Sequence, residues 1–190
     1  MGLFDKLKGA VAAASKDDNS AQEMTFTFTA LPESLAEMQA LPEASLDSPF
    51  KTAALTLCAL CAYAADKNIG TEMLNWLRGP KGPLTAMDQQ FFKDRFMDGK
   101  HYVPFSYFNG AKPENDYTPT EPFTVRIFTN PYSYQEENGA HYANLYMTSG
   151  GADSPRSIKL RKKESTGQWF LWEQYVLVGI RQPRSANPWA

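Results

Sequence analysis

The segment Pro49–Asp66, PFKTAALTLCALCAYAAD, constrains this chain most. Apolar residues Phe50, Ala53, Ala54, Leu57, Cys58, Leu60, Cys61 and Ala64 cover nearly every side of it at helical spacing. A helix apolar all round has no face to give to water and must be enclosed by other layers. Asp47 or Ser48 can cap it, with Pro49 at its first position. No apolar run in the chain reaches the about 18 residues that cross a bilayer. The segment therefore predicts the buried central helix of a layered domain.

The layers can be read from the rest of the chain. The alternation in MTFTFTA from Met24 predicts a half-buried strand, with Phe26 and Phe28 on one side and Thr25, Thr27 and Thr29 on the other. Helices are predicted over residues 32–41, from Ile69 to Arg78 with Gly79-Pro80 as the stop, and from Ala86 to about Asp98 with Thr85 as cap. From Tyr102 onward the period falls to two. After a loop at 109–122, strands are predicted near 121–128, 141–148, 156–163 and 168–178, separated by Asn130-Pro131, Asn138-Gly139, Gly150-Gly151 and Ser165–Gly167. Helices first and strands last is the α+β pattern: helices packed on a curved antiparallel sheet of four to six strands. A cone-like sheet wrapped round a helix, as in nuclear-transport-factor-like domains, fits this order.

Three segments are predicted: an amphipathic helix at 1–15, a polar linker at 16–23 and one α+β domain at 24–190. In the first, Leu3, Phe4, Leu7 and Val11 share an apolar stripe. All seven charged residues from Asp17 to Pro49 are acidic. Over the whole 190 residues, 19 Lys and Arg meet 21 Asp and Glu. That balance speaks against a general nucleic-acid binder, whose chain is usually basic. With 12 Phe, 9 Tyr and 4 Trp, the chain has ample material for a core. The start lacks the long apolar stretch of a secretory signal, so a reduced, cytoplasmic setting is expected.

No motif of nucleotide binding, zinc proteolysis or serine hydrolysis is present. Cys58 and Cys61 have CxxC spacing, but they fall inside the apolar helix rather than at a helix start. They are expected to be buried thiols. With His101 and His141 the only histidines, no metal and no cofactor is expected.

The last hairpin is more informative. A four-residue loop at 164–167 would place Lys163 opposite Gln168, Arg161 opposite Phe170, Leu160 opposite Leu171 and Lys159 opposite Trp172. One face would then be basic and aromatic: Lys159, Arg161, Lys163, Phe170 and Trp172. That composition suits anionic partners, nucleic acid included, although basic stems covering aromatics on a solvated face is the simpler expectation. The opposite face would place Glu173, opposite Ile158, beside Trp169 and Tyr175. A carboxylate there needs a partner such as Arg126 or Lys162, or marks a pocket.

Three stretches carry a resemblance: LPEASLDSPFKTAALTLCALCAYAADKNIGTEMLNWLRGP, then NPYSY with YANLYMTSGGADSPRSIKLRKK, then GQWFLWEQYVLVGIRQP with NPWA. Over about residues 24–190 the chain resembles an uncharacterised bacterial domain family, a domain of unknown function. MGLFDKLKG is similar to N-terminal helices of bacterial envelope-stress and tellurite-resistance-type proteins. The resemblance implies no catalytic residues.

The leading expectation is a non-enzymatic binding or interaction domain with an N-terminal docking helix that meets a protein partner, another copy of the chain or a membrane surface. The alternatives are a small-molecule-binding or hydrolytic cone with Glu173 in its pocket, and a nucleic-acid binder using the hairpin 156–172. An isolated helix as short as 1–15 is marginal in water and needs a surface to bury against. Protein contacts are favoured over lipid, because the acidic linker behind the helix is repelled by anionic headgroups. Deleting residues 1–20 should leave the thermal melt of the domain almost unchanged while abolishing association in light scattering. Vesicle co-sedimentation lost on Phe4→Glu, with a monomeric solution mass, would assign lipid instead.

Overall fold

A computed structural model describes residues 21–190. The predicted helix at 1–15, with Leu3, Phe4, Leu7 and Val11, and the linker as far as residue 20 lie outside the described residues.

Strand β1 (Glu23–Phe28) leads into helices α1 (Leu35–Ala40), α2 (Pro49–Ala65), α3 (Lys67–Arg78) and α4 (Ala86–Phe96). Strands β2 (Phe123–Phe128), β3 (Tyr134–Glu137), β4 (Ala140–Met147), β5 (Arg156–Lys163) and β6 (Gln168–Gln174) complete one antiparallel sheet in the order β1-β2-β4-β5-β6, with β3 also on β4. The sheet is open, ending at β1 and β6. Strand β2 meets β4 at Phe128 and Tyr146, while β3 pairs with residues 140–143 of the same strand. Thus β2 and β3 are two parts of one interrupted ladder.

Helix α2 lies across the inner face, touching β2, β4, β5 and β6. Phe26, Val125, Ile127, Leu145, Ile158, Leu160 and Leu171 from the strands share one buried core with it. Its own Leu55, Leu57, Cys58 and Leu60 are fully buried. Two threonines are buried with them, and both are satisfied: Thr52 Oγ1 donates to Trp169 O at 2.7 Å and Thr56 Oγ1 to Thr52 O at 2.8 Å. Ser48 caps α2, Asp66 caps α3 through Asn68 N and Ile69 N, and Thr85 with Asp88 forms a capping box on α4. At the α2–α3 corner a Cβ on Gly70 would lie 2.3 Å from the Tyr63 backbone, so only glycine lets the two helices close. No helix among the described residues is long and apolar enough to cross a membrane.

Two strand expectations need correction. Strand β6 ends at Gln174, not 178; beyond it the chain is held by Tyr175 N to Ser157 O and by the Tyr107 hydroxyl to Val176 O. Strand β3 was not expected, because its sequence YQEE is exposed throughout and has no apolar alternation.

Gly70→Ala should destabilise the protein by about 1–3 kcal/mol in urea unfolding, since the new methyl meets backbone that cannot move aside. Burial pushes both thiols well above their usual pKa. A thiol reagent at pH 8 should therefore label Cys58 and Cys61 only once denaturant is added; rapid labelling of the native protein would contradict their packing.

A candidate anion-binding groove on the outer face

The hairpin β5–β6 decides what each face carries. Lys163 pairs with Gln168, Lys162 with Trp169, Arg161 with Phe170 and Leu160 with Leu171. The register then shifts by one: Lys159 pairs with Glu173, and Ile158 with Gln174. A bulge takes up the extra residue, and Trp172 and Glu173 share the outer side with Lys159.

Glu173 consequently does not enter an inner-face pocket. It is exposed and accepts a hydrogen bond from the Tyr175 hydroxyl at 2.7 Å, which pushes the Tyr175 pKa up. Its proposed partner Arg126 is far across the sheet on β2. There it pairs with Glu23 on β1 at 2.6 Å and lies over the Phe128 ring. Trp169 stays on the inner side and lines a hollow of about 280 Å³ with Tyr134, Glu136, His141 and Lys162. In this hollow His141 Nδ1 lies 2.7 Å from Glu164 and Nε2 3.6 Å from Glu136.

Four residues of the expected basic–aromatic face line a groove of about 550 Å³, and the fifth, Lys159, falls outside that lining. Its floor is Arg161, Lys163, Phe170 and Trp172. One rim is the turn Gly79–Lys81 at the end of α3; the other is the β3–β4 turn at Asn138–Ala140. Gly79 sets the height of the first rim. It has φ +47°, and a Cβ there would fall 2.3 Å from the Phe170 ring. Arg78 braces the same turn from inside, donating to Gly82 O at 2.8 Å and reaching Asp88 at 3.4 Å.

The charges in the groove rest on aromatic rings. Lys81 Nζ is 4.4 Å from the centroid of Trp172 and also donates to the Trp172 carbonyl. The Arg161 guanidinium is 4.8 Å from the same centroid and 5.6 Å from that of Tyr142. Lys159 lies 4.5 Å over Tyr142 and reaches Glu137 at 3.7 Å. Lys162 reaches Glu164 at 3.8 Å. Among the described residues, Lys81, Arg161 and Lys163 form no ion pair. Partial burial, and then the charge of Arg78, hold the Lys81 ammonium below its usual pKa. The carboxylates of Glu173 and Asp88 act in the opposite direction.

Lys81 is the groove residue that the sequence did not disclose. It stands 91 positions from Trp172, in a turn that reads only as a helix stop. No cluster of His, Cys, Asp and Glu able to hold a metal ion is found among the described residues.

No curated protein and no solved structure matches the chain. A family model does match, over residues 30–184, nearly all of the helices and sheet just described, and the chain belongs to that family: Domain of unknown function (DUF6935).

Proposed function

We propose that this chain is a non-enzymatic binding domain whose site is the outer-face groove, and that it holds an acidic ligand there. The observation that carries this reading is the trio Lys81, Arg161 and Lys163, gathered around Trp172 without ion-pair partners among the described residues. A guanidinium offers a planar fork of N–H donors, and that of Arg161, close to two rings and in no ion pair among the described residues, suits an oxyanion. The remaining polar groups support binding rather than turnover. Both thiols are buried, and the polar partners of the two histidines are the Ala64 carbonyl and the carboxylates of Glu136 and Glu164. The amphipathic sequence at 1–15 supports a separate docking role for that segment, toward a protein partner or a second copy.

Titrating the labelled full chain with sodium phosphate should shift the NMR signals of Lys81, Arg161, Lys163 and the Trp172 indole ahead of all others. Arg161→Ala should weaken that response about tenfold or more, as expected for a lost charge-assisted hydrogen bond. Shifts centred elsewhere, or none, would overturn the assignment.

A further inference from the structure

Resting on that reading, we infer that the ligand is a compact polyanion built on two linked phosphates, a pyrophosphate group clamped between Lys81 and Arg161 across the edge of Trp172. Three features of the groove select this chemistry.

The first is charge. With Lys159 turned to Glu137 and Lys162 to Glu164, three cations remain unpaired among the described residues. A single carboxylate or phosphate would leave at least one of them facing like charge. A linked pair of phosphates carries enough charge to answer all three, Lys163 included.

The second is spacing. Lys81 and Arg161 both sit over Trp172, at 4.4 and 4.8 Å from its centroid. They are therefore no further apart than those two distances laid end to end, a span that adjacent phosphates can bridge. Arg161 supplies a planar fork and Lys81 a point charge, a division of labour suited to two phosphates held in different ways. The groove, at about 550 Å³, has room for a nucleoside diphosphate as well as for the bare anion.

The third separates this ligand from single-stranded nucleic acid. Strand binders offer bare aromatic faces on which bases stack. Here Trp172 carries Lys81 and Arg161, Tyr142 carries Lys159 and packs edge-on against Trp172, and Phe170 lies under Gly79. The rings serve as supports for cations and are not left open as stacking platforms.

Calorimetric titration of the full chain with pyrophosphate, orthophosphate, ADP and an oligothymidylate tests this directly. Pyrophosphate should bind at least about tenfold more tightly than orthophosphate, the gain expected from a second charge-assisted contact. Lys81→Ala should weaken pyrophosphate binding several-fold more than orthophosphate binding, and so erase most of that preference. Arg161→Lys, which keeps the charge but loses the fork, should weaken both phosphates. ADP equal to pyrophosphate would make the diphosphate the whole of the recognised group, and tighter ADP would name a nucleotide as its source; either outcome supports the inference. Equal affinity for the two inorganic anions, with NMR shifts still in the groove, would overturn the inference and leave the groove reading standing. Oligothymidylate displacing pyrophosphate at lower concentration would overturn it in favour of nucleic acid. The wild-type ratio of the two inorganic anions needs no variant, so a misfolded mutant leaves the test intact.

Discussion

The hydrogen bond from Thr52 to the carbonyl of Trp169 is the contact on which the arrangement turns. Helix α2 is apolar on all sides, and burying it brings two hydroxyls into the core, each of which would cost stability without a partner. Thr56 is satisfied within the helix, but Thr52 reaches the sheet and fixes the first turn of α2 against the outer edge of β6. The neighbouring groups of that edge are also taken: Trp169 N by the Leu46 carbonyl and the Trp172 carbonyl by Lys81. An edge strand that could pair with another chain is thus closed by side chains and loops. The same closure carries the turn Gly79–Lys81 over the outer face and gives the groove its rim. Core packing and the candidate site therefore share one set of contacts.

The bulge between β5 and β6 resolves a conflict in the sequence. Strict alternation through Leu171-Trp172-Glu173-Gln174 would place Glu173 opposite Ile158, against α2. A carboxylate buried there without a partner would be expensive. One extra residue lets Leu171 stay inside, sends both Trp172 and Glu173 outward, and brings Gln174 round to face Ile158. Gln174 is the easier residue to accommodate, since its side-chain carbonyl accepts from Val176 N at 3.1 Å. Trp172 faces outward with or without this step, and what the outer face gains is Glu173, so the device that keeps a charge out of the core leaves Trp172 in place beneath the cations of the groove.

Several parts of this were legible in the sequence because their cause is local. Buried helix α2 follows from its composition, α4 from Thr85 and Asp88, and the loop end of the last hairpin from its turn. From these follow the α+β order and the clustering of Arg161, Lys163 and Phe170. What escaped has a non-local cause. Strand β3 exists because β4 offers it a ladder, and its own four residues show no pattern. The placement of Glu173 depended on a register shift that no single residue announces. Lys81 reaches Trp172 only because α3 packs beside β6 and Gly79 turns the chain over Phe170.

The manner in which the basic residues lie on the rings is what the proposed binding reading draws on. On a solvated face, long stems cover the aromatics and the charged heads extend into water. Here the cationic centres themselves rest on the rings: Lys81 and Arg161 on Trp172, Lys159 on Tyr142. A cation on a ring gives up part of its hydration in exchange for the ring quadrupole. Lys159 regains an anion in Glu137, whereas partial burial, and then the charge of Arg78, hold the Lys81 pKa down against the pull of Glu173 and Asp88. An incoming anion therefore meets charges that are already oriented and partly dehydrated, and its attraction to them is stronger than to the same side chains in free water. On the proposed reading, neutralising Lys81 and Arg161 relieves their mutual repulsion as well, so the fold itself would gain stability from an anion bound there.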